Sequence, residues 1–193
     1  MCKIFLYTFI IFLIFFKLQG QNEGIYKDLN TALSDAEKVK VLILKNKKLE
    51  KLTSKIDTFQ NLEVLVLKRN KLNSLPENII NCKKIIKIDL SYNKFKDFPI
   101  ILIELPNLKE LNLYHNEIEY LPNEIKEFCC LEKLDLGDNY LTKLNQSITG
   151  LNNTLKVLNL RLNMIPLKHQ KEVRERYLPN TKIYFSTPCN CDL

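Results

Sequence analysis

Glycine and histidine are scarce in this 193-residue chain, and tryptophan is absent. The four glycines, Gly20, Gly24, Gly137 and Gly150, are too dispersed to write a loop whose backbone amides cradle a phosphate. The two histidines, His115 and His169, form no HExxH motif, and the CxC of Cys189 and Cys191 falls short of the four ligands zinc wants. These absences leave catalysis little support, so the sequence is read as non-enzymatic, without cofactor or metal. Long apolar runs are missing too, with one exception. Ile4 to Phe16 is apolar or aromatic apart from Thr8, behind Met1-Cys2-Lys3 and ahead of Lys17-Leu18-Gln19-Gly20. A helix of that length covers roughly 20 Å against the ~30 Å of a hydrocarbon core, which suits a signal peptide better than a transmembrane span.

Residues 1–20 are therefore expected to be a signal peptide cleaved near Gly20-Gln21, the rival being an uncleaved anchor. No cysteine stands at the cleavage point, so a lipid-anchored start is not supported. Removal takes two lysines and no acid, lowering the net charge from +7 to +5. The expected location is secreted, periplasmic or cell-surface, with no membrane insertion after cleavage and no nucleic-acid partner. A mildly basic exported chain favours acidic proteins, acidic polymers or an anionic surface. With 46% hydrophobic residues, one domain with a continuous core is the default.

What the sequence does contain is a cadence of leucines. Aligned on it, the chain writes one motif six times, starting at Val39, Leu62, Ile85, Leu108, Leu131 and Leu155, at spacings of 23, 23, 23, 23 and 24 residues. Apolar residues fall on the first, fourth, sixth and eleventh positions, as in Leu62, Leu65, Leu67 and Leu72, or Leu108, Leu111, Leu113 and Ile118. Positions four and six point the same way from a short strand, the period-two signature of one buried face. A single rung cannot enclose those leucines, but stacking at ~4.8 Å lets each cover its neighbour. Position nine is Asn70, Asn93, Asn116, Asn139 and Asn163, an amide able to pair with backbone groups left free where the strand turns inward. Lys47 takes that place in the first rung, where no preceding rung demands the bond. Pro76, Pro99 and Pro122 follow the fourteenth position, where the chain starts back along the convex side.

The LxxLxLxxNxL pattern resembles the leucine-rich repeat family. Its continuation at Leu72-x-x-Leu75-Pro76-x-x-Ile79 resembles the 23-residue class typical of Ras-suppressor-like repeat proteins. The resemblance covers residues 39–167 and implies an α/β solenoid: a right-handed superhelix of about six repeats with a parallel concave β-sheet. It also implies a recognition module. Residues 21–38 are expected to supply an N-terminal helical cap, since Ile25, Leu29, Ala32, Leu33 and Ala36 follow helical spacing. Residues 168–193 are expected to form a C-terminal cap and a tail, with a charged helix from His169 to Leu178 and a last strand from Lys182 to Phe185.

In this architecture positions three, five and seven face outward on the concave sheet, with eight and ten along its rim. Position five reads Ile43, Val66, Asp89, Asn112, Asp135 and Asn159; position seven reads Lys45, Lys68, Ser91, Tyr114, Gly137 and Arg161. The preferred binding centre is Tyr92, Tyr114, His115 and Tyr140, because tyrosine offers a large rigid contact area with a polar tip; the alternative is ordinary surface tyrosines shielding sheet edges. Lys45, Lys48, Lys68, Arg69 and Lys71 are expected to gather into a basic patch that steers an acidic ligand, or simply to keep the protein soluble. A remote alternative is a hydrolase using Asp89 and Asp135, disfavoured because an open, solvated sheet lacks the enclosed site that raises one carboxyl pKa. The second main reading is a structural or adhesive envelope component.

Cys82 takes the place held elsewhere by Phe59, Leu105, Phe128 and Leu151, so burial is expected, while Cys129 and Cys130 take an exposed corner. A monomer is expected, with a disulfide-linked oligomer open through Cys189 or Cys191. Asn145-Gln146-Ser147 and Asn152-Asn153-Thr154 are glycosylation acceptors if the chain is eukaryotic. All of this requires Leu65, Ile88, Leu111 and Leu134 to line up side by side in a single interior.

Overall fold

The computed structural model describes residues 24–186. The signal-peptide expectation for residues 1–20, and the tail cysteines Cys189 and Cys191, lie outside them. Positions three to five of each rung form a three-residue strand: β2 (Val41–Ile43), β3 (Val64–Val66), β4 (Lys87–Asp89), β5 (Glu110–Asn112), β6 (Lys133–Asp135) and β7 (Val157–Asn159). Two further strands, β1 (Ile25–Tyr26) and β8 (Lys182–Tyr184), flank them. All eight form one sheet in chain order, each parallel to the next. Leu42, Leu65, Ile88, Leu111, Leu134, Leu158 and Ile183 share one register row. The four residues on which the sequence reading depends are each 1% exposed or less.

Parallel strands need a crossover, and here it is reduced to a single 3₁₀ turn. Ser54–Thr58, Glu77–Asn81, Ile100–Glu104, Asn123–Glu127 and Gln146–Leu151 form these turns on the convex side. The residue before each is Pro76, Pro99 or Pro122, or else Thr53 or Asn145, whose side chain accepts a hydrogen bond from the Lys55 or Ser147 N–H. Each choice answers the same difficulty: the first amides of a turn have no partner within it, so proline removes one and Thr or Asn satisfies one. Ile56, Ile79, Leu102, Ile125 and Ile148 then point inward, followed three residues on by Phe59, Cys82, Leu105, Phe128 and Leu151, all buried. Burial pushes the Cys82 thiol up to about 11, so it serves as a small apolar side chain, as expected.

Each asparagine at position nine joins two rungs. Asn116 Oδ1 accepts from the Phe95 N–H of the preceding rung at 3.1 Å, while its Nδ2 donates to the Leu90 and Leu113 carbonyls at 3.1 and 3.0 Å. Asn70, Asn93, Asn139 and Asn163 repeat this, accepting from Leu49, Leu72, Ile118 and Leu141. The absence of an asparagine from the first rung follows: β1 brings no such loop for it to hold.

The ends differ from expectation in one respect. Ile25 is not helical but lies in β1, paired with Val41, and is exposed. Helix α1 (Leu29–Ser34) begins only after Asp28, whose carboxylate accepts from the Asn30 and Thr31 amides and caps it. The edge of the sheet offered Ile25 pairing with β2, which outweighs a helical spacing that short. At the other end, α2 (Leu167–Glu172) runs into a π turn at Val173–Tyr177, and Val173, Leu178, Ile183 and Phe185 close the core. No helix among the described residues is long and apolar enough to cross a membrane.

Asn116→Ala is expected to cost about 2 kcal/mol, because it strands a buried Phe95 amide. Asn163→Ala, at a half-buried terminal rung, should cost less, both changes being read by urea unfolding. Leu162 is 59% exposed with φ 57°, and its amide donates to Ser186 Oγ, which a substitution retains. Leu162→Asn should therefore raise stability by about 1 kcal/mol, since asparagine tolerates the left-handed backbone better.

Candidate functional site

The turn that leaves each strand projects one side chain per rung. Position eight, at Asn46, Arg69, Tyr92, His115, Asp138 and Leu162, has φ between 54° and 58° throughout. This left-handed geometry lets the chain bend inward so that the next residue, the asparagine, reaches the core. The eighth residue is thereby turned toward the rim, at a cost that Asn or Asp bears more easily than Arg, Tyr or Leu.

Three of the four residues of the expected centre meet there. The Tyr92 ring lies 5.5 Å from Tyr114 and 4.6 Å from His115, and Tyr114 lies 6.2 Å from His115. His115 Nδ1 is 2.5 Å from Asp138 Oδ2. Partial burial, with the Asp138 carboxylate nearby, pushes the Tyr114 phenol above its usual range. The Lys68 ammonium and the Arg69 guanidinium stand 5.3 and 5.1 Å from the Tyr92 ring centre, a cation–π arrangement. Lys45, Asn46, Lys68 and Arg69 line a small depression beside it. Lys71, expected in the same patch, instead reaches Glu50 at 3.5 Å.

Tyr140 stands apart. Among the described residues no aromatic or cation contact joins it to this cluster. It occupies position ten, which Met164 takes in the next rung, and Tyr140, Met164, Leu162 and Leu167 are all more than half exposed. The apolar end of the rim is invisible in the repeat pattern, because those residues lie at variable positions.

Asp89, Asn112, Asp135 and Asn159 line up in register on the concave face. Each ties down the residue two positions on: Asp89 Oδ1 accepts from the Ser91 amide and hydroxyl, Asn112 Oδ1 from Tyr114, Asp135 Oδ1 from Gly137, and Asn159 Oδ1 from Arg161. Asp135 also accepts from Asn159 Nδ2 at 2.8 Å. The pair that suggested hydrolysis thus has a structural task. The Asp135 environment differs from expectation, however: burial, reinforced by the Asp89 charge, pushes its carboxyl above the usual range despite the opposing hydrogen bonds. Ser91 and Gly137, at outward positions, are buried: the Ser91 hydroxyl donates to Asp89, and the Tyr114 and Asn159 side chains lie over Gly137.

Position three holds what the sequence reading missed. Glu110 sits between Lys87 at 2.8 Å and Lys133 at 2.5 Å, and one position away Glu132 sits between Lys109 at 3.6 Å and Lys156 at 2.6 Å. The Lys133 ammonium, then Lys87, holds the Glu110 carboxyl below its usual range, and Lys156 does the same for Glu132. Alternating charge signs at 23-residue spacing were a readable signal. Lys87, Glu110 and Lys133, with Asp89, Asp135, Arg161 and Tyr184, line a shallow concavity of about 370 Å³ on the sheet.

Residues 60–118 match the family model described as leucine rich repeat. Many solved structures resemble the chain, among them the following three. A leucine-rich repeat protein of Leptospira interrogans is 24% identical with a TM-score of 0.52, and the match covers 83% of this chain and 58% of that one. Internalin C2 of Listeria monocytogenes is 21% identical with a TM-score of 0.64, covering 83% and 66%. An internalin, inlF, of the same organism is 20% identical with a TM-score of 0.62, covering 83% and 52%. The fold is that of a leucine-rich repeat protein. The solenoid spans between about half and two thirds of the length of these structures. No curated protein matches the chain.

In the repeat framework Asn145 takes the place of the proline before a convex turn. Its Nδ2 donates to the Leu121 carbonyl and its Oδ1 accepts from Ser147, so the amide expected to be open to a glycan is engaged in the fold. Asn152 Oδ1 is buried without a partner among the described residues.

The raised Asp135 pKa has a sign that can be tested. Its folded value lies above the unfolded one, so its stabilising contribution is complete below the ordinary aspartate range and is lost as pH rises through the folded value. Asp135→Asn keeps the acceptor for Gly137, as Asn112 does for Tyr114. Relative to that variant, the wild type should lose stability from about pH 4 upward, as followed by denaturant unfolding across pH; a wild type that gained on the variant over that range would contradict this assignment.

Proposed function

We propose that this chain is a non-enzymatic recognition module acting outside the cytoplasm, which binds a protein partner on its concave face and the adjoining rim. The strip of Tyr92, Tyr114 and His115 carries the reading. Three aromatic rings touch one another at the edge of a sheet whose central charges are largely paired within the sheet, and rigid aromatic side chains with polar tips are the commonest binding anchors. The leucine-rich repeat resemblance supports recognition over chemistry. The curved eight-stranded sheet supports a macromolecule over a small ligand, since its concavity is shallow and open. Asp89, Asn112 and Asp135 form the floor beside the strip and orient it through the turns they hold. Location outside the cytoplasm rests on the apolar segment of residues 4–16.

An adhesive or structural role has one observation in its favour, the exposed Cys129 thiol, and predicts multimers that reductant dissolves; a soluble monomer favours recognition.

The test is affinity capture from the native extracellular or envelope fraction, using the mature protein and a Tyr92→Ala, Tyr114→Ala variant whose circular dichroism and melting are checked first. The variant should lose about tenfold or more in retained partner, in line with the weight of hot-spot tyrosines. Equal capture by a folded variant would remove the strip from the site.

A further inference from the structure

We propose that Lys45, Lys68 and Arg69 form a carboxylate-binding subsite that takes an acidic segment of the partner protein. The proposal rests on the recognition reading above and gives that partner a chemistry.

Four observations converge on it. Lys87 and Lys133 on the concave sheet, and Lys109 and Lys156 just before its strands, are all paired with glutamates, whereas none of Lys45, Lys68 and Arg69 has a carboxylate partner among the described residues. The depression they line with Asn46 is about 210 Å³ and contains no acidic side chain. Arg69 also sits at φ 56° in a slot that Asn46 and Asp138 fill at lower cost in other rungs. A left-handed arginine costs roughly 1–2 kcal/mol, and an outlier of this kind, kept where a cheaper residue fits, points to a use for the side chain. Finally, the Tyr92 ring lies beneath both Lys68 and Arg69. It restricts their motion and joins the subsite to the aromatic strip.

The geometry favours carboxylate on a protein over a long polyanion. Arginine presents two parallel N–H donors that match one carboxylate. The depression is confined to the first two rungs, and Tyr92 and His115 continue it as an aromatic surface. A partner that lays an acidic side chain in the depression and apolar side chains along the strip satisfies both at once. Its attraction weakens with salt, because screening acts over ~8 Å at physiological ionic strength.

The probe is a fluorescently labelled ten-residue oligoglutamate, followed by anisotropy at low salt with the full mature protein. Lys68→Gln combined with Arg69→Asn should weaken its binding about tenfold, while Arg69→Asn alone raises the melting temperature, which separates the ligand role from the fold. A charge-matched Lys143→Gln, Lys168→Gln variant should bind as the wild type does. Equal loss in that control, unchanged affinity in the rung-two variant, or wild-type binding to dextran sulfate without binding to oligoglutamate each overturns the subsite. The probe carries no apolar group, so it reads the subsite alone. Partner capture that survives loss of Tyr92 and Tyr114 overturns the strip and leaves the subsite standing, whereas an unaffected oligoglutamate affinity does the reverse.

Discussion

A backbone that must turn into its own core every 23 residues carries amides and carbonyls inward with it, away from water. The asparagine at position nine meets that constraint. One side-chain amide supplies the acceptor for the preceding rung and donors for two carbonyls, bridging adjacent rungs within the core. Buried polar groups left unpaired cost more than most packing contacts contribute. The ladder therefore governs the shape of the whole stack. It also explains why the first rung departs from the pattern: no repeat loop precedes it.

The same turn creates the recognition surface. For asparagine to reach inward, the residue before it adopts a left-handed conformation and swings outward, in every rung from Asn46 to Leu162. The fold thus pays for a row of side chains along its rim at positions where most residues are strained. Filling those slots with Arg69, Tyr92 and His115 in place of asparagine or aspartate accepts that strain on three consecutive rungs. On the sheet floor, by contrast, charge is consumed internally. Glu110, and Glu132 just before β6, each hold two lysines, and Asp89 and Asp135 hold the turns that follow them. The face is polar at its centre but short of free charge, and the cations without a carboxylate partner among the described residues, with the open aromatics, lie toward the edge.

Much of this was legible as sequence. The leucine cadence named the interior row, and the fixed asparagine named the ladder. The position shared by Phe59, Cys82 and Leu105 showed that Cys82 is a core residue and not a reactive one. The meeting of Tyr92, Tyr114 and His115 followed from their places on adjacent rungs. Other features were not legible, because they depend on which neighbour wins. Ile25 had helical spacing but found backbone partners in β2. Ser91 and Gly137 sat at outward positions but are covered, Gly137 by the Tyr114 and Asn159 side chains of the adjacent rungs. Tyr140 shared a residue type with the aromatic centre but belongs to a different stretch of the rim, next to Met164.

The sequence by itself determined the period, the interior and the number of repeats, since burial of one apolar face at a fixed interval has a single stacked solution. Only the tertiary structure decided which charges remain free for a partner. Pairing across rungs depends on distances of a few ångströms between residues 23 apart, and the same residue type is a neutralised rung of a ladder at Lys87 and, among the described residues, a cation without a carboxylate at Lys68. A one-dimensional pattern records that both are lysines; the field each one feels is set by the neighbour that the register brings alongside.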